Sequence, residues 1–160
     1  MNEQNWGKYI KEIENKIKKL KKEKNYIEII FWFSNILEVE LKDLIIKHQK
    51  AVEFICKREK LKFKRFTKKE LEKLTLGQLK DRAEIFVKKD IIKEITKFNE
   101  LRKKVVHGLF SCQINSLREE AIKFLPRFWR LTENLVDIEI AITKILGKYK
   151  TRRIIEKFKK

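Results

Sequence analysis

The scarcity of residues that interrupt regular structure constrains this chain more than any other feature. Its 160 residues include four glycines and one proline, whereas an all-β domain needs a turn residue every few positions. Few interruptions favour long helices, and a chain of this length can form one domain with its own core. The sequence therefore predicts an all-α helical bundle of about five or six helices. We assign residues 1–150 to this single domain and residues 151–160 to a basic C-terminal tail.

Apolar residues recur at steps of three and four along most of the chain, which is the spacing of a helix face buried against a core. This pattern predicts a first helix over residues 6–20 and a more apolar, central helix over residues 26–46 that can continue through Ile55. A third stripe covers residues 91–106 and leads to Gly108, where a glycine can end the helix.

Three short motifs predict where the remaining helices begin. Thr67 and Thr75 each stand three residues before a Glu or Gln, and Ser116 stands three residues before a Glu. Such pairs form capping boxes, in which each side chain bonds to the backbone of the other residue. We therefore expect two short helices after the threonines and a long final helix from Ser116. Pro126 should kink this last helix, and Gly147 should end it.

The chain carries a strong positive charge, with 41 Lys and Arg against 23 Asp and Glu and a net charge of +18. Such a charge implies affinity for a polyanion, nucleic acid first and an anionic membrane surface second. Residues 57–73 hold nine basic and three acidic residues together with Phe63 and Phe66, a combination that suits phosphate contacts and base stacking. Two alternatives stay open: a lysine-rich surface that is merely solvated, and a loop that the two phenylalanines anchor.

Several classes of function find no support in the sequence. It contains no glycine-rich phosphate-binding motif, no zincin motif and no zinc-ligand spacing of its two cysteines and two histidines. Its densest apolar stretch, residues 29–33, is far shorter than the roughly 18 residues that a membrane helix needs. We therefore expect a cytoplasmic protein without a metal or other cofactor, without membrane insertion and with Cys56 and Cys112 as reduced or buried thiols.

One segment combines residue types that are suited to chemistry on RNA. Residues 98–110 read FNELRKKVVHGLF, so that four residues separate Arg102 from His107 and Gly108 follows directly. Histidine can transfer a proton near neutral pH, and the planar arginine fork can bind a phosphate through two hydrogen bonds. On an ideal helix these two side chains lie about 140° apart, so they need a loosened helix end or partners from elsewhere to act together.

This segment resembles the R-x(4–6)-H motif of the HEPN superfamily, small α-helical domains found in many RNA-cutting toxins and defence proteins. The order of the predicted helices is similar to that of the family as well, with the motif late in a third long helix. The resemblance implies a metal-independent endoribonuclease that cleaves RNA through attack of the 2′-OH. It also implies a homodimer, in which two copies of the motif line one cleft, and a protein antitoxin as a partner in toxin members.

The same resemblance assigns roles to individual residues. Arg102 and His107 would be catalytic, with the histidine moving the proton and the arginine neutralising the phosphate. Asn99, one turn earlier, could orient the phosphate or the arginine. Lys103 and Lys104 could hold the RNA, and Lys103 lies one turn before the histidine.

Two positions depart from the family pattern. Many members carry an amide or acidic residue directly after the arginine, where this chain has Lys103, and one toxin subgroup carries a tyrosine where this chain has Leu109. The lysine favours binding over catalysis. Two alternatives therefore stay open: a non-catalytic HEPN-like module that binds RNA or a protein, and a structural helical dimer. At the level of single residues, His107 can simply cap its helix or pack in the core, and Arg102 can be solvated.

Overall fold

The structure is a computed structural model. It describes the backbone of residues 3–108 and 114–158, and the side chains of residues 11–57, 59–107 and 114–148. Over these residues the chain forms six helices and no strand, which confirms the predicted all-α bundle. The helices are, in chain order, α1 (Glu3–Lys22), α2 (Tyr26–Arg58), α3 (Lys68–Glu72), α4 (Leu76–Ala83), α5 (Lys89–Gly108) and α6 (Ile114–Phe158).

The central position predicted for the second helix is confirmed. α2 packs against each of the other described helices, and α6 is its most extensive neighbour. It contains more fully buried aliphatic side chains than any other helix in the described part of the chain, among them Ile30, Leu37 and Leu41. The predicted extension through Ile55 is also observed, because α2 ends only at Arg58.

A cluster of aromatic rings joins α2, α5 and α6. Phe33 of α2 stacks on Phe128 of α6 with ring centroids 3.7 Å apart, and Phe98 of α5 lies 5.5 Å from the same Phe128 ring. All three rings are fully buried, and large buried aromatic side chains contribute strongly to core stability. This cluster fixes α5, the helix that carries the Arg–His motif, against the centre of the bundle.

Two of the three predicted capping boxes are present, those at Thr67 and Thr75. The Thr67 hydroxyl accepts a hydrogen bond from the Glu70 amide at the start of α3, and the Thr75 hydroxyl accepts one from the Gln78 amide at the start of α4. The first turn of α4 also lies against α5, since a Cβ placed at Gly77 would be 3.5 Å from the Asn99 side-chain nitrogen. The cap of α4 therefore contributes to the surroundings of the motif helix.

The final helix differs from its prediction at both ends. α6 begins at Ile114, two residues before Ser116, and it continues past Gly147 to Phe158. Gly147 therefore does not end the helix, and the predicted tail is helical over residues 151–158. A glycine inside a helix costs only about 1 kcal/mol relative to alanine, so the flanking residues can carry the helix through it. Pro126 lies inside α6, and the helix continues on both sides of it.

Candidate functional site

Arg102 and His107 lie on different sides of α5. The helix is continuous from Lys89 to Gly108, so five positions correspond to a rotation of about 140°. Arg102 is half-buried at the edge of the face that packs against the core, whereas His107 is exposed. The structure therefore does not bring the two side chains together within one protomer, and α5 does not loosen before Gly108.

A carboxylate from another helix holds Arg102. Its Nη1 atom lies 3.6 Å from Oε1 of Glu38 in α2, and the two side chains are 30% and 23% exposed. The same carboxylate lies 4.0 Å from Nζ of Lys42. Two cations thus share one anion, and this small cluster keeps a net positive charge. In the described part of the chain, Glu38 is the partner of Arg102, and it contacts the Nη1 atom. The other N–H groups of the guanidinium can therefore still bind a phosphate.

The predicted substrate-binding residues fall into two groups. Asn99 is half-buried, faces the first turn of α4 and lies about 60° from Arg102 around the helix. Lys103 is exposed one turn from His107, and Lys104 forms an ion pair of 3.1 Å with Glu120 of α6. The structure therefore places Asn99 near Arg102 on the inner side of α5 and both lysines on the outer side with His107.

His107 is neither a core residue nor surrounded by other helices. Its imidazole is exposed in the last turn of α5, where a positive charge interacts favourably with the helix dipole. An exposed imidazole can contact a ligand without a change in packing. Leu109, which follows the helix, lies outside the described residues.

A lysine-rich groove extends from this outer side of α5. Lys89, Lys93 and Lys97 follow one another at four-residue steps, and with Lys80 of α4 they line a groove of about 400 Å³ between the two helices, where Glu84 and Glu100 are the acidic lining residues. Lys89 and His107 are five helical turns apart on the same side of α5. The groove and the imidazole therefore belong to one continuous surface of the helix.

The basic segment before α3 is only partly a free surface. The Phe66 amide donates a hydrogen bond of 2.9 Å to the Gln49 side chain, and the Arg82 guanidinium lies 4.4 Å above the Phe66 ring. Arg65 is 3.1 Å from Glu53 of α2. Phe66 thus anchors the segment, as the loop alternative predicts. Phe63 and Phe66 are both more than one-third exposed, so the anchor is the Phe66 amide and the contact of its ring with Arg82 rather than burial of the two rings.

His48, the other histidine of the chain, packs against an aromatic ring. The His48 ring stacks on Phe86 with centroids 4.0 Å apart, and partial burial lowers the pKa of its imidazole. Among the described residues, no group of three or more His, Cys, Asp or Glu side chains could hold a metal ion. No helix in the described part of the chain has an apolar stretch that could cross a membrane.

Sequence reasoning missed Glu38, the partner of Arg102. The only local signal was its position four residues before Lys42, the spacing of an ion pair along one helix. Glu38 also follows the largely apolar stretch from Ile29 to Leu37 of α2, and a charged residue there needs a partner or an exposed position. Neither signal identifies an arginine on a distant helix.

No protein-family model, curated protein or solved structure matches this chain. The resemblance to HEPN domains therefore stays a prediction, based on the short motif and the order of the helices.

Proposed function

We propose that this protein is a HEPN-like, metal-independent endoribonuclease that acts as a homodimer. One His107 accepts the proton of a ribose 2′-OH, and the 2′-oxygen attacks the adjacent phosphorus. The bond to the 5′-oxygen breaks, and that oxygen takes the proton from the same His107 imidazole. Arg102 binds the phosphate oxygens, whose negative charge grows in the transition state. The products are a 2′,3′-cyclic phosphate and a 5′-hydroxyl end.

The placement of the two motif residues carries this proposal. If Arg102 were ordinary surface, it would be solvated, but it is half-buried and held by Glu38. If His107 were a core residue, it would be buried, but it is exposed. One residue is thus fixed in position and the other is accessible, which is what a phosphate-binding arginine and a proton-transferring histidine require.

The separation of the two residues supports the homodimer. Within one protomer they are about 140° apart on α5, so one phosphate is poorly placed to contact both. A two-fold axis beside the end of α5 would bring the Arg102 of one protomer towards the His107 of its partner. It would also join two lysine-rich grooves into one surface for an RNA strand.

RNA cleavage in EDTA tests the proposal. Wild type should cut RNA and leave 2′,3′-cyclic phosphate ends, whereas His107→Ala and Arg102→Ala should each lower the rate by about 100-fold or more. Arg130→Ala removes an exposed arginine at a distant position of α6 and is the matched control. Each variant is checked for folding and oligomeric state. A His107→Ala variant that cuts RNA as fast as wild type would overturn the catalytic assignment.

A second candidate function is RNA binding without cleavage, and the lysine-rich groove favours it. The lysines of this groove would contact phosphates whatever the fate of the RNA. Replacing Lys89, Lys93 and Lys97 by alanine should reduce the slope of log affinity against log salt by about 2, because each lost phosphate contact on single-stranded RNA contributes about 0.7.

A triple variant in α1 provides the control for this measurement. Lys18, Lys21 and Lys22 are exposed lysines on another helix, and their replacement by alanine removes the same charge. If both triple variants change the salt dependence equally, the groove is not the binding surface. Binding without turnover by wild type would select this candidate over the ribonuclease.

A further inference from the structure

A cavity on the other side of the bundle lies outside the proposed RNA site. It has a volume of about 310 Å³ and is formed by α1, α2 and α6. Ile13, Val136 and Trp129 provide apolar walls. The Trp129 indole is 37% exposed and packs edge-on against the buried rings of the core, so it is a fixed part of the wall. The volume is that of a small-molecule site.

Three carboxylates line the same cavity, although the chain as a whole is strongly basic. Glu40 comes from α2, and Glu133 and Asp137 come from α6. Glu40 is only 8% exposed, and within the described part of the chain it forms no hydrogen bond or ion pair. No side-chain oxygen in the described part of the chain is both fully buried and without a hydrogen-bond partner, so the carboxylate oxygens of Glu40 are accessible from the cavity and a cationic ligand there can pair with them.

The surroundings of Glu40 do not supply a positive partner of their own. Burial, the largest effect, raises the pKa of Glu40 to about 7, and the negative charges of Glu139 and Asp43 act in the same direction. Lys47 lowers the pKa of Glu40, but its ammonium group is already paired with Glu139. Among the α1 side chains that the structure describes, which begin at Lys11, the apolar Ile13 lines the cavity. The site therefore has an excess of negative charge.

We propose that this cavity binds a small organic cation, an ammonium group attached to an apolar body. The ammonium would pair with Glu40, and the negative charges of Glu133 and Asp137 would attract it as well. The apolar body would lie against Trp129 and Val136, and an indole ring also attracts a nearby cation. A neutral ligand would leave Glu40 unpaired, and an anion would meet three carboxylates, so charge selects among ligands of equal size.

A pair of probes separates charge from shape. 2-Phenylethylamine and 2-phenylethanol have nearly the same size, but only the amine is a cation at pH 8. Binding is measured by titration calorimetry and by tryptophan fluorescence. We expect the amine to bind at least tenfold more tightly than the alcohol, even though the net charge of +18 repels cations from the protein as a whole.

Substitutions then locate the site. Glu40→Gln should weaken binding of the amine at least tenfold and leave binding of the alcohol unchanged. Asp137→Asn should weaken the amine by a few fold, and it serves as the second test if the first variant does not fold. Glu119→Gln removes an exposed carboxylate of α6 away from the cavity and should change neither affinity.

The proposal is overturned if amine and alcohol bind equally, if neither binds at millimolar concentration, or if Glu40→Gln and Asp137→Asn leave the amine affinity unchanged. It is also overturned if Glu40→Gln changes the oligomeric state, because the cavity would then belong to an interface between two copies of the chain. None of these outcomes depends on whether the protein cleaves RNA.

Discussion

At the scale of single residues, the contact between Glu38 and Arg102 allows the orientation of the guanidinium to be tested separately from the affinity for RNA. Glu38 is an anion beside Arg102, the proposed phosphate-binding residue, so it cannot itself attract RNA. It can only fix the orientation of the guanidinium from α2. Its removal should therefore affect the rate of cleavage and the affinity for RNA in different ways.

The variant Glu38→Gln tests this role. We expect RNA affinity to stay the same or to rise, because a negative charge is lost near the phosphate. The single-turnover cleavage rate should fall roughly tenfold, because Arg102 loses its fixed orientation. Glu53→Gln is the control, since it removes a paired carboxylate from the same helix. Equal losses of affinity and rate would assign Glu38 a structural role alone.

Glu40 gives a prediction for stability as a function of pH. Its pKa is raised to about 7 in the folded protein from 4.5. Between these two values the folded state binds more protons than the unfolded state, so stability falls as the pH rises through this window. Glu40→Gln has no such group. Its stability relative to wild type should therefore increase from pH 5 to pH 8, by up to about 3 kcal/mol at roughly 1.4 kcal/mol per pKa unit.

Urea unfolding of both proteins at pH 5 and pH 8 measures this difference. The pKa of the partly buried His48 is lowered by burial, so this residue also contributes to the pH dependence of stability. Both proteins contain His48, and its contribution therefore cancels in the difference between them. Parallel stability curves would show that Glu40 is ionised in the folded state over the whole range.

The sequence could identify some of these residues but not their partners. The motif predicted Arg102 and His107, and helix geometry predicted that they do not share one face. Glu38 and Glu40 are only two residues apart in an apolar helix, yet one meets an arginine and the other meets a cavity. The periodicity of apolar residues predicts which side of a helix is buried, but it does not predict which side chains of other helices contact that side.

At the scale of the elements, local capping signals predicted two of three helix starts, and the third helix, α6, begins two residues before Ser116. The boxes at Thr67 and Thr75 are complete because both partners lie within one turn, so no tertiary contact is needed. The prediction for Gly147 was wrong for the opposite reason. A glycine ends a helix only when the following residues leave it, and the sequence around residue 147 has helix-forming residues on both sides.

The cap of α4 yields a quantitative expectation. Thr75→Ala removes the hydroxyl that accepts the Gln78 amide, so the free energy of unfolding should fall by about 1 kcal/mol. Thr75→Ser keeps an acceptor at the same place and should lose much less. Urea unfolding of the three proteins checks this difference. Equal losses for alanine and serine would mean that the threonine methyl group, not the cap, stabilises this end of α4.

At the scale of the whole molecule, the two sides of the bundle have opposite electrostatic character. The outer side of α5 carries lysines and the exposed His107, whereas the cavity between α1, α2 and α6 carries three carboxylates. A polyanion would be attracted to the first surface and repelled by the second. A two-fold arrangement that joins the α5 surfaces would leave both acidic cavities accessible, so the two proposed sites can function independently.

Such a dimer makes a prediction that a monomer cannot meet. Arg102→Ala and His107→Ala protomers are each expected to be inactive alone. In a mixture, about half of the dimers contain one of each, and such a dimer retains one complete arginine–histidine combination out of two. If Arg102 acts with the His107 of the partner protomer, the mixture should recover roughly a quarter of wild-type cleavage.

The two variants are unfolded in urea together and refolded, so that protomers exchange fully. Wild type taken through the same procedure gives the reference rate. A mixture that stays inactive while this reference is fully recovered would show that both side chains act within one protomer, and α5 would then have to unwind around His107 when RNA binds.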